Sequence, residues 1–323
     1  MDGGDGAPGR IPDFFIVGHP KCGTTALYEM LRRHPEIYMP DFKEPWFFAD
    51  DMRPRFQPAR AGTVPETLEA YLSLFEAATP GQRVGEASSS YLRSRRAPAR
   101  IAQLRPDARI IAIFREPADF LRSLHQQLLV DHVETRKDLL RAVALEDQRR
   151  AGRQIPRRSH MPQMLMYSDH VRYAEQLRRF HESFPAEQVL VLIYDDFRAD
   201  NEGTLQRVQR FVGVQERPLE VVQANTSSLR MRSQQLDELV NAVSVGRGPV
   251  SRAAKAAVKA VTSQRLRAGA MRATRRNLVY GRAQEVDQDA MLALRRRFRG
   301  EVESLGKYLD RDLVGLWGYD RLD

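Results

Sequence analysis

Short apolar runs alternating with helix-patterned stretches predict an α/β fold, a P-loop-like doubly wound parallel sheet flanked by helices. Three observations carry that prediction. The apolar run Phe14–Val17 passes straight into the glycine loop "GHPKCG" and then into a helical pattern. The runs "ARIIAIF" and "QVLVLIYDDF" are continuously apolar rather than alternating, as in strands covered on both faces. Each is followed by a helix-patterned segment, "PADFLRSLHQQLL" and "NEGTLQRVQRFVG".

The elements follow in order. Phe14–Val17 is too short for a helix and is closed by Gly18. From Thr24 the spacing of Ala26, Leu27, Met30 and Leu31 is helical, and Pro35 in "RRHP" biases against continuation. "PDFKEPWFFADD" is broken by Pro40 and Pro45 and reads as a loop packed down by its aromatics. "PETLEAYLSLFEAA" is an amphipathic helix with Pro65 at its start. After the turn "TPGQ", "VGEASSSYL" reads as a short strand running into a serine-rich loop, and residues 134–150 read as helical. Between Asn225 and Asn277 come the helix "SQQLDELVNAV", a "GRGP" break and an Ala/Arg/Lys-rich helix. They predict a helical basic insertion near the C-terminus, a lid at about 230–277. The final "DAMLALRRRFRGEVESLGKYLDRDLVGLWGY" is an amphipathic helix with an aromatic anchor. The organisation expected is a disordered lead over residues 1–12 and a single domain over 13–323.

Composition narrows the function classes. A chain of 323 residues, 42% hydrophobic and 29% charged, has the makeup of a globule that buries a core. No run reaches the ~18 apolar residues that span a bilayer, and "MDGGDGAPGRIP" lacks the features of a secretory signal. The single cysteine, Cys22, excludes an internal disulfide and a cysteine metal cluster, so the expected compartment is the cytoplasm. The histidines show no metal-ligand spacing, and no metal is expected. A net charge of +9 favours anionic partners, and residues 247–282 hold many arginines and lysines without one acid. Such a segment is either solvated or meets an anionic membrane surface. Its few aromatics argue against specific nucleic-acid binding.

The glycine loop carries the chemistry. Its backbone N–H groups feed a helix N-terminus and make an anion site, with Thr24 and Thr25 adding hydroxyl donors. The nucleotide-binding loop G-x-x-x-x-G-K-[ST] has its lysine after the second glycine. Here Gly18 and Gly23 keep the spacing, but Thr24 follows Gly23 and the cation is Lys21, inside the loop. The strand "ARIIAIF" is followed by Arg115 rather than a carboxylate, which suits a second phosphate better than magnesium. Ser123, eight residues on, offers a hydroxyl to the same anion.

These motifs resemble the sulfotransferases that use 3′-phosphoadenosine 5′-phosphosulfate (PAPS). "HPKCGTTAL" is similar to that family's 5′-phosphosulfate loop, and "FREPADFLRS" to its 3′-phosphate motif. "KEPWFF" is similar to the substrate loop of the heparan sulfate type, and "YGRAQEVD" to a later cofactor-gating loop. With "GEASSSYL", the resemblance covers most of residues 13–130 and about 278–320. It implies PAPS as donor, no required metal, and a hydroxyl of a carbohydrate, glycolipid or other small metabolite as acceptor. Lys21, Cys22, Gly23, Thr24, Thr25, Ala26, Arg115, Ser123, Gly281 and Arg282 match donor-binding positions. Lys21 would also act catalytically, donating to the phosphate oxygen that gathers charge as the sulfuryl group leaves.

Glu44 matches the catalytic glutamate of the heparan type, and Lys43 and Trp46 flank it on the acceptor side. Glu86, at a strand end, is the reserve base or a residue that orients the loop. Trp46 stands where many relatives have histidine, Ala87 where the heparan enzymes have lysine, and Tyr280 where the gating loop has lysine. These lost cations weigh against a highly sulfated acceptor. Two other readings stand beside this one. A P-loop kinase or NTPase would use Asp195 and Asp196 to hold a metal, and a non-enzymatic protein would bind polyanions through residues 247–282.

Overall fold

The computed structural model describes residues 10–53, 64–157, 159–221, 229–231, 280–282 and 287–322. Residues 1–9 of the expected lead, nearly all of the expected insertion and most of the basic segment lie outside the described residues.

Five strands form one parallel sheet in the order β2-β3-β1-β4-β5: β1 is Phe14–Gly18, β2 Ile37–Tyr38, β3 Arg83–Ala87, β4 Arg109–Phe114 and β5 Val189–Ile193. β1 sits at the centre, with Phe14 opposite Gly85 of β3 on one side and Arg109 of β4 on the other. Every residue of β1 is buried. β1, β4 and β5 read as apolar runs because both of their faces are covered. The chain turns to opposite sides of β1, so the crevice at its C-terminal end is the switch point where ligands bind in such sheets.

Among the described residues the helices are α1 (Thr24–Leu31), α2 (Leu68–Leu72), α3 (Ala97–Leu104), α4 (Pro117–Val130), α5 (Leu139–Ala144), α6 (Glu146–Arg150), α7 (Tyr167–His170), α8 (Tyr173–His181), α9 (Tyr194–Ala199), α10 (Asn201–Val212), α11 (Gln288–Leu309) and α12 (Leu313–Leu316). α4 carries Pro117 in its first turn, and the Glu116 carboxylate caps it by accepting from the N–H groups of Ala118 at 3.0 Å and Asp119 at 2.6 Å. The hydroxyl of Tyr319 donates to the same carboxylate, so the aromatic C-terminal anchor locks onto the start of α4.

Three local expectations need correction. The helix beginning near Pro65 starts at Leu68, because Thr67 caps it by accepting from Ala70 N–H at 3.1 Å. Residues 134–150 form two short helices only from Leu139, since Glu134 is spent on a buried ion pair with Arg149 at 2.7 Å. Gly281 and Arg282 lie in a two-stranded antiparallel ladder, β6 (Leu229–Met231) with β7 (Tyr280–Arg282), where Arg230 faces Gly281.

Candidate active site

The phosphate loop is held by close backbone packing. A Cβ on Gly18 would lie 2.7 Å from Leu92 Cβ and 2.9 Å from the Ser89 carbonyl oxygen, so only glycine fits. The His19 N–H donates to the Ile113 carbonyl of β4 at 2.9 Å. Its ring is buried, donates from Nε2 to Gln176, and is pushed down to about 3 by desolvation, so it is neutral. Lys21 (φ 64) and Gly23 (φ 87) both take the left-handed conformation. That bend lets the chain enter α1 with no side-chain cap, leaving first-turn N–H groups to a ligand.

One cleft of about 420 Å³ gathers most of the expected residues: Lys21, Gly23, Thr24, Thr25 and Ala26 of the loop, and Arg115 and Ser123 of the second motif. The volume lies within the usual range for small-ligand sites. The Arg115 guanidinium donates to the Lys21 carbonyl at 3.2 Å and stacks 4.8 Å from the Tyr194 ring centre. It is thereby aimed along the mouth of the loop. Lys21 Nζ reaches Gln127 Oε1 at 3.4 Å, and desolvation lowers its pKa, with Asp131 opposing and Arg115 reinforcing.

Lys43, Glu44 and Trp46 line the same cleft. Glu44 N–H donates to the Ala87 carbonyl at 3.0 Å, pinning the loop to the end of β3, and Glu44 and Trp46 are left-handed (φ 62 and 51). Four donors converge on the Glu44 carboxylate. Oε1 accepts from Lys43 Nζ at 2.6 Å and Ser89 Oγ at 2.7 Å, and Oε2 from Ser89 N–H at 2.8 Å and Trp46 Nε1 at 3.0 Å. The three aromatics of this loop divide their work. Trp46 stays at the cleft, while Phe47 and Phe48 enter the core, Phe47 stacking 4.5 Å from Tyr71.

Glu86 and Cys22 do not reach the cleft. Glu86 is fully buried, and its Oε2 accepts from the hydroxyls of Tyr71 at 2.9 Å and Tyr91 at 2.8 Å. Tyr71 stacks on Phe47, and Tyr91 accepts from Phe48 N–H at 3.4 Å, so Glu86 is the floor beneath the Glu44 loop. Burial pushes Glu86 up to about 7, against the pull of the Ser88, Tyr91 and Tyr71 hydroxyls. The Cys22 thiol faces the core and is pushed up to about 12 by desolvation. Helix-terminus activation of this thiol is overridden by burial.

The buried Glu86 sets a pH dependence. A carboxyl raised from 4.5 to about 7 contributes stability that is full below pH 4.5 and lost as pH rises through 7. Glu86→Gln keeps an acceptor for the tyrosines and cannot ionise. Its stability relative to the parent should therefore improve between about pH 5 and pH 8, by ~3 kcal/mol at most. Urea unfolding at both pH values measures this, and a constant difference would contradict it.

Sequence reading missed Ser89, Ser90, Gln127, Asp131, His160 and Tyr194, which also line the cleft. Two signals were available. Ser123 and Gln127 of α4 and Asp131 at its C-cap recur every fourth residue, and Tyr194 follows β5 as Arg115 follows β4. His160 had none. His125 is turned away from the cleft, bonding the Tyr167 hydroxyl at 2.8 Å and the Lys137 carbonyl at 3.1 Å. The Asp195–Asp196 pair is occupied by the C-terminal segment. Trp317 Nε1 donates to Asp195 at 2.9 Å, and Arg311 grips Asp196 with bonds of 2.6 and 2.7 Å. Among the described residues no group of three His, Cys, Asp or Glu side chains could hold a metal, and no helix is long and apolar enough to cross a membrane.

The family model for the sulfotransferase domain matches residues 11–250. The chain belongs to the sulfotransferase family. It is 29% identical over 205 residues to heparan sulfate glucosamine 3-O-sulfotransferase 3B1 of Mus musculus, covering 64% of this chain and 47% of that one. It is 28% identical over 217 residues to bifunctional heparan sulfate N-deacetylase/N-sulfotransferase 4 of Mus musculus, 64% and 22% of the two chains. This sulfotransferase-family chain thus spans about half or less of the curated relatives it matches. A solved sulfotransferase from Alicyclobacillus acidocaldarius superimposes with a TM-score of 0.67 at 25% identity, covering 95% of this chain and 99% of that one.

Proposed function

We propose that the protein transfers a sulfuryl group from PAPS to a hydroxyl of a weakly charged carbohydrate, glycolipid or other small metabolite. The observation that carries the reading is the meeting of Lys21, Arg115, Ser123 and Glu44 in one cleft. The donor set fits a nucleotide with two separated anionic groups: an uncapped helix start with Lys21 and Thr25 at one end, and Arg115 with Ser123 at the other. Tyr194, already stacked on Arg115, offers an aromatic face to a base.

PAPS would supply an activated sulfuryl group whose departure leaves charge on its 5′-phosphate. Lys21 places an ammonium at that end of the cleft; desolvation lowers its pKa but strengthens its attraction for the developing charge. Glu44 takes the proton from the acceptor hydroxyl. Two donors on each carboxylate oxygen already fill its acceptor positions, so the hydroxyl must displace one of them. Lys43 is the donor on a flexible stem and is the one that yields. Gly281 and Arg282, on β7, complete the donor site in this reading.

The charge of the cleft supports this acceptor class. Among the described residues the cleft's lysines and arginines are Lys21, Lys43 and Arg115, balanced in part by Glu44 and Asp131. Leu128, Val133, Met161 and Met164 give it an apolar wall. A polysulfated chain would need cations beyond those the donor engages.

The test is nucleotide discrimination. The parent should bind adenosine 3′,5′-bisphosphate more tightly than adenosine 5′-phosphate, and Arg115→Ala should remove that preference. Loss of a charge-assisted pair is worth roughly ten- to a hundred-fold in affinity. A mutant that discriminates as well as the parent sinks the assignment.

A further inference from the structure

Behind the phosphate loop lies a second cavity of about 250 Å³, walled by residues 51–52, the segment after β3, residues 163–169 and the start of α8. Five arginines face it, against three carboxylates. The carboxylates are committed. Asp169 pairs with Arg150 at 2.7 Å, and Glu175 with Arg179 at 2.9 Å and Arg172 at 3.3 Å. Asp51 accepts from Ser94 Oγ at 2.6 Å and from the Arg95 N–H at 2.9 Å.

Two guanidinium groups are left over. Arg93 donates only to the Gln163 carbonyl at 2.9 Å and the Met164 sulfur at 3.1 Å, and makes no ion pair among the described residues. The Arg95 side chain makes no hydrogen bond or ion pair among them. Arg179 adds a buried Nε without an acceptor. Desolvation pulls Arg93 down to about 10, against the opposing pull of Asp169 and Asp51, and the neighbouring Arg179 adds to the fall. Positive charge on the desolvated Arg93 is costly unless an anion joins it, and Arg95 stands exposed at the mouth.

We propose that this arginine-lined cavity is a binding site for a tetrahedral oxyanion, sulfate or phosphate, free or as a monoester head, separate from the catalytic cleft. Forked guanidinium donors suit tetrahedral oxyanions. Arg93 and Arg95 are the anchors. Gln176 joins the cavity to the phosphate loop. It borders the site, donates to the carbonyls of Asp169 at 2.8 Å and His170 at 3.2 Å, and holds the His19 ring through Oε1. A bound anion therefore sits one side chain away from the loop.

The experiment is calorimetric titration of the full chain with inorganic sulfate, inorganic phosphate and methyl sulfate, against chloride at matched ionic strength. Saturable binding of at least one is expected, and the tightest of the three identifies the source. Arg95→Ala, on the rim, should weaken that binding about tenfold or more without unfolding the protein. Arg93→Gln should do the same, while Arg115→Ala in the cleft should leave it unchanged. No saturable binding overturns the proposal. So does unchanged binding in Arg95→Ala, or binding that disappears with Arg115→Ala, since the anion would then occupy the cleft.

Discussion

Glu44→Gln is expected to leave the protein folded and nucleotide binding intact while turnover falls by roughly 10²–10⁴-fold. The amide has nearly the shape of the carboxylate, and Ser89 and Trp46 can still donate to its oxygen. What it lacks is a place for the acceptor's proton. It also breaks the charge-assisted contact of 2.6 Å with Lys43, so the loop loses one tether. Lys43→Ala separates the two effects. If Lys43 only guards the carboxylate, removing it should weaken turnover far less than Glu44→Gln does. A fully active Glu44→Gln would strip Glu44 of its role and leave "KEPWFF" as a wall of the cleft.

Lys21→Ala should cut turnover by roughly 10²–10³-fold, the usual cost of one donor aimed at developing charge. Binding of adenosine 3′,5′-bisphosphate should weaken much less, because the loop amides and Arg115 remain. The left-handed backbone at Lys21 adds a control. Lys21→Gly relieves that conformation, so a lesion shared by Ala and Gly belongs to the lost ammonium and not to strain. Equal losses in turnover and in binding would make Lys21 a binding residue only.

The parts of this fold legible in the sequence were those whose burial is uniform. β1, β4 and β5 are covered on both faces and read as apolar runs. β2 was invisible because two residues between Pro35 and Pro40 carry no period at all. Pro65 drew the start of α2 too early, since a proline marks a first turn but Thr67 supplies the capping oxygen. At the site, motif spacing identified Lys21, Arg115 and Ser123, and the fold brings them into one cleft. Glu86 was placed at a strand end where ligands bind, yet the pleat turns its side chain beneath the loop, against two tyrosines. No local pattern carried His160, which reaches the cleft only through tertiary packing.

The most direct measurement is calorimetric titration of adenosine 3′,5′-bisphosphate in the presence of a chelator, set beside ATP with magnesium. A cleft built for a sulfuryl donor binds the bisphosphate without metal, more tightly than it binds ATP, by at least the roughly tenfold worth of the Arg115 pair. Tighter binding of ATP, dependent on magnesium, would contradict the account.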